Sequence, residues 1–151
     1  MSWQSEFETG LVSALRANET LTALLADGSD SILQARPNNS ASCPQVTFSH
    51  MDESYQPLAS DGRFDIRLQL DIWAAAGAWD AIEDALLAVL DERARIRGGN
   101  GAINITATNF TCKAIRYLRG HTIPTGVFSA DSDNAEIIQR VTEWTVRLYR
   151  K

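Results

Sequence analysis

Hydrophobic and polar residues alternate most regularly in the middle of the chain, between residues 64 and 73. The apolar positions are Phe64, Ile66, Leu68, Leu70 and Ile72, and the positions between and after them are Asp65, Arg67, Gln69, Asp71 and Trp73. A period of two residues predicts a β-strand with one apolar face and one face in water. Because a shift of one residue would bury Asp65 and Asp71, the pattern also fixes the register of this strand.

Apolar residues that recur three and four positions apart predict two main helices. The first begins near Ser5, whose spacing to Glu8 is that of a capping box, and Thr20 caps a short additional turn over residues 21–26. The second helix spans residues 78–95 and presents a long buried stripe. That stripe consists of Trp79, Ile82, Leu86, Val89 and Leu90.

The rest of the chain is predicted to form strands and loops. The strands predicted from short apolar runs span residues 32–35, 45–49, 110–118 and 136–149. The predicted loops, which carry Pro, Gly and Asp signals, span residues 51–62 and 119–134. The last strand is favoured over a helix because Val, Thr, Ile and Trp dominate its sequence. Residues 102–108 fit either a short strand or an ordered loop.

This order of elements predicts an α+β fold. Only short loops join the middle strands, so these strands are expected to pair antiparallel. Two amphipathic helices can cover one face of the resulting sheet, which gives two layers. A chain of 151 residues fits one domain, residues 1–151.

Charge and composition narrow the classes of function. The formal net charge is −5, which makes the chain a poor clamp for nucleic acid or for an anionic membrane, because both depend on neutralising phosphate. The start of the sequence has neither a basic region nor an apolar region, and no stretch approaches the length of a membrane span. We therefore expect a soluble protein that is made in the cytoplasm, without a signal peptide.

Candidate chemistry is sparse. The pairs Cys43 with His50 and Cys112 with His121 could supply zinc ligands, but their spacing lacks the short knuckles of structural zinc sites. Two core thiols and two loop or strand-end histidines are the simpler interpretation. The carboxylates Asp80, Glu83 and Asp84 are expected to form a solvated helix face rather than an acid–base pair. The sequence predicts no catalytic residue, no metal site and no cofactor.

Surface residues give more suggestive signals than catalytic motifs do. Asp65, Arg67 and Asp71 form a mixed-charge face on the long strand, and Trp73 falls on the same polar side. Tyr55 lies in a predicted loop, and aromatic residues outside a core often anchor protein interfaces. For Trp73 an equally weighted alternative is that it bends into a seam between helix and sheet. The basic residues expected at the C-terminal end of the second helix are Arg93, Arg95 and Arg97.

The order and spacing of these elements resemble those of the tail terminator, or tail-completion, family of long-tailed bacteriophages. The segments that carry the resemblance are the N-terminal helix, residues 21–28, 32–37, 43–48, 68–73 and 79–87, and the closing strand. The resemblance covers residues 5–92 well and the C-terminal strand loosely. It rests on order and spacing rather than on any single motif.

The resemblance implies a structural virion protein that is not an enzyme and needs no cofactor. Members of the family form hexameric rings that cap the tail tube, end its polymerisation and join the tail to the head connector. The implied partners are further copies of the chain, the tail tube protein, the connector or stopper protein, and genomic DNA that passes through the lumen without being held. The implied location is the neck at the top of the tail, and no membrane is involved.

Within such a ring, two sets of residues are candidates for contacts. The set expected to face the lumen or a neighbouring subunit is Asp65, Arg67, Asp71 and Trp73. The set expected to contact another subunit, the tube or the connector is Tyr55, Arg93, Arg95 and Arg97. The separation of acidic and basic residues along the chain is typical of head-to-tail contact between subunits.

Three other functions remain open at the level of sequence. A head-closure or adaptor ring in the neck would share the fold and differ only in its position in the particle. A small cytosolic α+β enzyme would need a convergent polar cluster in a pocket. A dimeric binding module of similar topology would stop at two subunits.

Overall fold

The structure is a computed structural model that describes residues 3–33, 43–54, 63–91, 105, 110–128 and 135–150. Its helices are α1 (Trp3–Arg16), α2 (Glu19–Thr22) and α3 (Trp79–Leu90), with a 3₁₀ turn at Gly28–Ser31. Its strands are β1 (Ile32–Leu33), β2 (Gln45–Ser54), β3 (Arg63–Ala75), β4 (Phe110–Phe128) and β5 (Glu136–Arg150). No helix in these ranges is long and apolar enough to cross a membrane.

The strands form one curled sheet in the order β1-β2-β3-β5-β4. All neighbouring strands pair antiparallel except β1 and β2, which pair in parallel. The long strand β3 lies at the centre, with β2 on one side and β5 on the other. The α+β class with a mostly antiparallel sheet, predicted from the order of elements, is therefore confirmed.

The helices pack on one face of this sheet and form the main core. Ile66, Leu68 and Leu70 of β3 are fully buried on that face, as the alternating pattern predicts. The same core contains Phe7, Leu11 and Leu15 of α1 and Ile82, Leu86 and Leu90 of α3 from the helical layer, and Trp144, Val146 and Leu148 of the neighbouring strand β5. Burial of each such side chain contributes about 1.5–3 kcal/mol relative to exposure, so this face supplies most of the hydrophobic stabilisation.

The termini of the helices differ from the prediction. Helix α1 already includes Trp3, so Ser5 lies inside the helix and does not begin it. The cap of α2 is Asn18 rather than Thr20, because its side-chain oxygen accepts a hydrogen bond from the backbone N–H of Leu21 at 2.9 Å. Helix α3 ends at Leu90 rather than at residue 95, since Asp91 adopts an extended conformation.

Two predicted loops are partly strands. Residues 51–54 continue β2 against β3, and residues 119–128 continue β4 against β5. Pro124 and Gly126 suggest a loop locally, but pairing with β5 overrides that signal. Proline is tolerated here because β4 has one neighbour, β5, among the described strands and leaves one edge without need of an N–H donor. Of the ambiguous segment 102–108, only Ile105 is described, and it is buried against Gly10.

Candidate functional site: two faces and an arm

The outer face of the sheet, away from the helices, carries the odd-numbered side chains of β3. At one end of β3, Arg67 is exposed and Asp65 is half-buried in an ion pair with Arg147, with Asp65 Oδ1 and Arg147 Nε 3.2 Å apart. This end therefore presents a mixed-charge surface to solvent, as the alternating pattern predicts. Asp65 on β3 and Arg147 on β5 lie directly opposite each other, so the pairing of the two strands keeps their side chains close together.

At the other end of β3 the outer face is closed, and the prediction of solvent exposure for Asp71 is wrong. Asp71 is only 2% exposed, and its two carboxylate oxygens accept hydrogen bonds from the side-chain amides of Gln69 and Gln139 at 3.1 and 3.0 Å. Its partners across the register, Thr47 and Val141, are buried as well. The buried carboxylate thus accepts hydrogen bonds from two amide donors, which lowers the cost of burying it.

Trp73 is buried too, at 6% exposure, so its prediction as an exposed aromatic anchor is wrong and the alternative of a buried seam is closer. The seam, however, lies on the outer face rather than against the helices. Its indole N–H donates a hydrogen bond to the hydroxyl of Thr47 at 2.9 Å. Ile137 of β5 is also buried on this part of the outer face. The difference comes from the neighbouring strands, because Thr47 of β2 and Gln139 of β5 form hydrogen bonds with Trp73 and Asp71 on this face.

The second set of candidate residues falls outside the described part of the chain. Tyr55 and the basic residues Arg93, Arg95 and Arg97 are not among the described residues. Helix α3 ends at Leu90, earlier than predicted, and the contacts expected of these four residues stay a prediction.

Sequence reasoning missed a charged cluster between α3 and the two last strands. The carboxylate of Glu83 accepts hydrogen bonds from Arg140, at 3.1 Å from Nε and 3.3 Å from Nη2, and from the hydroxyl of Tyr117 at 2.8 Å. The guanidinium also lies 4.3 Å from the ring centroid of Trp79. We call Glu83, Arg140, Tyr117 and Trp79 the clamp, because they join one helix to two strands.

The clamp contradicts the prediction of a fully solvated carboxylate face on α3. Asp80 and Asp84 are exposed as expected, but Glu83 is buried. Burial and the hydrogen bond to Glu83 raise the pKa of Tyr117, so its hydroxyl stays protonated and donates. Arg140 is 57 residues from Glu83 along the chain, and no local sequence pattern marks such a pair.

The clamp joins α3 to β4 and β5 through an ion pair and hydrogen bonds. Both oxygens of Glu83 already accept hydrogen bonds, and Arg140 engages it with two nitrogens. Burial raises the pKa of the Cys112 thiol to about 12, which keeps it protonated and unreactive at neutral pH. Within the described ranges no three His, Cys, Asp or Glu side chains come together in a way that could hold a metal ion.

A third feature is the distal part of β4, which we call the arm and define as Leu118–Phe128. All of its residues except Gly120 and Thr125 are exposed, on both faces of the strand. Of the large apolar side chains that are exposed in the described part of the chain, most lie on this arm. They are Leu118, Ile123, Val127 and Phe128, and Phe128 is 62% exposed. Such a concentration of apolar surface is typical of a protein interface.

Comparisons with known proteins identify a matching family and a solved structure of similar fold. Residues 9–111 match the family described as tail completion protein gp17. A solved structure titled "Virion of native gene transfer agent (GTA) particle" contains a chain of similar fold, with a TM-score of 0.68 and 13% sequence identity. The similarity covers 97% of this chain and 99% of that chain. No curated protein sequence matches.

The family match and the fold therefore point the same way. The matched residues include most of α1, all of β1, β2, β3 and α3, and the first residues of β4. They make up more than half of the chain, and the protein belongs to the tail completion protein gp17 family, as a structural component of a phage-like virion.

Proposed function

We propose that the chain is a subunit of a ring, hexameric in its simplest form, that caps the tail tube, ends tube polymerisation and joins the tail to the head connector. The observation that carries the proposal is the family match over residues 9–111. The virion chain of similar fold supports it, since that chain is covered over 99% of its length by a protein of this size. The proposal also treats residues 1–151 as one domain of the ring.

The arrangement of the molecule suits a ring subunit. A core on one face of the sheet and a clamp between α3 and the last two strands give a rigid body. The exposed arm and the mixed-charge end of β3 leave surfaces for neighbours. Rigid subunits with distinct contact surfaces are what a closed ring requires, because each subunit must hold the same angle to the next.

We propose that the open end of the outer face of β3 lies at the lumen or against a neighbouring subunit. Asp65 and Arg67 remain the candidates there, with Arg147 as the partner of Asp65. A wall of mixed charge lets DNA pass without being held, because it offers no continuous row of cations to the phosphates. Asp71 and Trp73 are buried beneath the surface and support the face from within.

Deletion of the gene from the particle-producing genome tests the proposal. We expect separate filled heads and tails, with tail tubes of uncontrolled length, in electron micrographs of the lysate. The wild-type gene supplied in trans should restore joined particles with tails of uniform length. Joined particles with normal tails in the deletion strain would contradict the proposal.

The position of the protein in the particle separates the two ring functions. Antibody or gold labelling of purified particles should mark the junction between tail and neck, and isolated tails should retain the label. Label that stays with heads and is absent from isolated tails would assign the chain to a head-closure or adaptor ring instead. Neither result depends on which surfaces of the chain form the contacts.

A further inference from the structure

The exposed apolar side chains of the described residues lie at two opposite edges of the sheet. Those of the arm lie on β4, the last strand in the sheet order. The remaining one, Leu24, lies between α2 and the 3₁₀ turn that leads directly into β1, the first strand in that order. Single exposed apolar residues are ordinary, but their restriction to two opposite edges indicates two contact surfaces.

The same two edges carry opposite charges. Beside Leu24, the exposed acidic residues are Glu19, Asp27 and Asp30, and residues 17–31 contain no Lys or Arg. We call this group, Glu19, Leu24, Asp27 and Asp30, the acidic edge. On β4, by contrast, the exposed titratable residues are Arg116, Arg119 and His121, and the strand contains no Asp or Glu. Although Arg119 is paired with Glu143, its side chain remains 69% exposed.

We propose that the arm of one copy docks on the acidic edge of the next copy. The proposal rests on the ring proposed above and names the surfaces that would build it. Two different patches on opposite edges make a heterologous contact, which repeats from copy to copy and closes into a ring if the rotation allows. The apolar side chains supply the buried area, and the opposite charges set the orientation.

The chemistry of the arm favours docking through side chains rather than by addition of a strand. Pro124 has no backbone N–H, and the register of β4 against β5 shifts between Pro124 and Phe128. Gly126 has a φ of 73°, which turns the backbone away from a regular strand. These interruptions blunt the strand edge and protect it from unspecific pairing. The contact is therefore expected to depend on the side chains of Ile123 and Phe128.

Two double variants, each lacking one surface, test the proposal. The arm variant carries Ile123→Glu and Phe128→Glu, and the acidic-edge variant carries Asp27→Lys and Asp30→Lys. All four side chains are exposed, and the side chain of Asp27 makes no cap hydrogen bond to the 3₁₀ turn, so both variants are expected to fold. Circular dichroism and urea unfolding of each variant verify this before assembly is measured.

The matched control carries Asp80→Lys and Asp84→Lys on α3. It makes the same change of charge at two exposed acidic positions that lie outside the acidic edge. Sedimentation velocity from about 10 μM to about 1 mM then compares the variants with the 16.6 kDa wild-type chain. We expect the dissociation constant for self-association to rise at least about tenfold in each surface variant, because each loses contacts at the centre of the interface. The control should associate as the wild type does.

Mixing the two surface variants gives the decisive measurement. The arm variant retains an intact acidic edge, and the acidic-edge variant retains an intact arm. An equimolar mixture should therefore form a one-to-one complex that stops at two subunits, although each variant alone stays monomeric. A contact between two identical patches would not produce this result, because the variant that retains that patch would then associate with itself.

Other results overturn the proposal. Wild-type protein that stays monomeric at about 1 mM has no contact of useful strength. Surface variants that assemble like the wild type would show that the two patches do not bind each other. A loss of self-association confined to the arm variant would show the same, and the tube protein would then be the next partner of the arm to test. Failure of the ring function is distinguishable, because it is read from tails in the deletion strain and not from association of the purified chain.

Discussion

The two halves of β4 contain similar residues but differ in their exposure to solvent. The first half, Phe110–Tyr117, lies against the main core, where Phe110 and Ile115 are buried. The second half is the arm, whose apolar side chains lie in solvent with β5 as its neighbour among the described strands. A continuous strand thus passes from core to surface without a change in its apolar content. An apolar side chain on a strand is therefore buried only where a second layer covers it, and a cluster of such side chains without that layer is typical of an interaction site.

The boundary between the two halves coincides with the clamp. Tyr117 donates its hydroxyl to Glu83 and its backbone N–H to Asp91, the latter at 3.2 Å, and the register of β4 shifts directly after it. Its ring also meets Trp144 edge to face, with centroids 5.1 Å apart. The clamp therefore anchors the base of the arm to α3 and to the core. This fixed base is what allows an exposed arm to hold one direction.

The largest effect is expected from a matched pair of substitutions in the two halves. Phe110→Ala removes a buried ring that packs 6.2 Å from the ring of Phe7, and should lower the free energy of unfolding by about 3–5 kcal/mol. Phe128→Ala removes an exposed ring and should change it by less than about 0.5 kcal/mol. Urea unfolding of dilute protein measures both. Similar losses for the two variants would show that the arm is not separate from the core.

A second prediction concerns the clamp. Arg140→Met leaves the carboxylate of Glu83 buried without its cation and should lower the free energy of unfolding by about 2–4 kcal/mol. Adding Glu83→Gln to that variant should recover part of the loss, because the uncompensated charge is then removed. Urea unfolding of the single and double variants measures the coupling. A strictly additive pair would argue that the two side chains do not stabilise each other.

A smaller effect is expected at Gly120, which lies directly beyond the clamp. A Cβ at this position would clash with the hydroxyl of Tyr117 and approach Arg140 Nη2 to 2.7 Å. Gly120→Ala should therefore displace the clamp and lower the free energy of unfolding by about 1 kcal/mol. In the Arg140→Met background the same change should cost less, since one obstructing group is gone. An equal cost in both backgrounds would place the strain elsewhere in β4.

How far the sequence predicts this molecule depends on whether the deciding contact is local. The period-two pattern of β3 predicts the strand, its register and its buried face, because that face is set by alternation alone. The same pattern places Asp71 and Trp73 in water, and there it is wrong. Thr47 and Gln139 on the two neighbouring strands form hydrogen bonds with them, and no feature of the β3 sequence encodes those partners.

The arm and the clamp cannot be predicted from local sequence patterns for a related reason. Pro124 and Gly126 are strong local signals for a loop, yet pairing with β5, which follows later in the chain, keeps residues 119–128 in a strand. Glu83 has the spacing of a solvated helix residue, and only Arg140 and Tyr117 explain its burial. The order of elements, by contrast, follows from local patterns, which is why it carries the family resemblance while the surfaces do not follow from it.

The smallest expected effect is on the pH dependence of stability, and it concerns Cys112 in the first half of β4. Burial against the core raises the pKa of Cys112 to about 12 from the value of 9.0 expected in the unfolded chain. The protonated thiol therefore favours the folded state: this stabilisation is fully present below pH 9 and is lost as the pH rises towards 12. Cys112→Ala should consequently lose less stability than the wild type between about pH 8 and about pH 10.5 in urea unfolding, because the variant lacks the thiol that titrates.

Cys43→Ala is the matched control, because it removes the other cysteine side chain from a position outside β4. If both substitutions reduced the fall of the free energy of unfolding with pH equally, the effect would belong to thiols in general and not to burial in the core half of β4. A flatter profile for Cys112→Ala alone would show that β4 is desolvated as far as Cys112. Since the exposed arm begins at Leu118, the change from buried to exposed side chains would then lie between Cys112 and the arm.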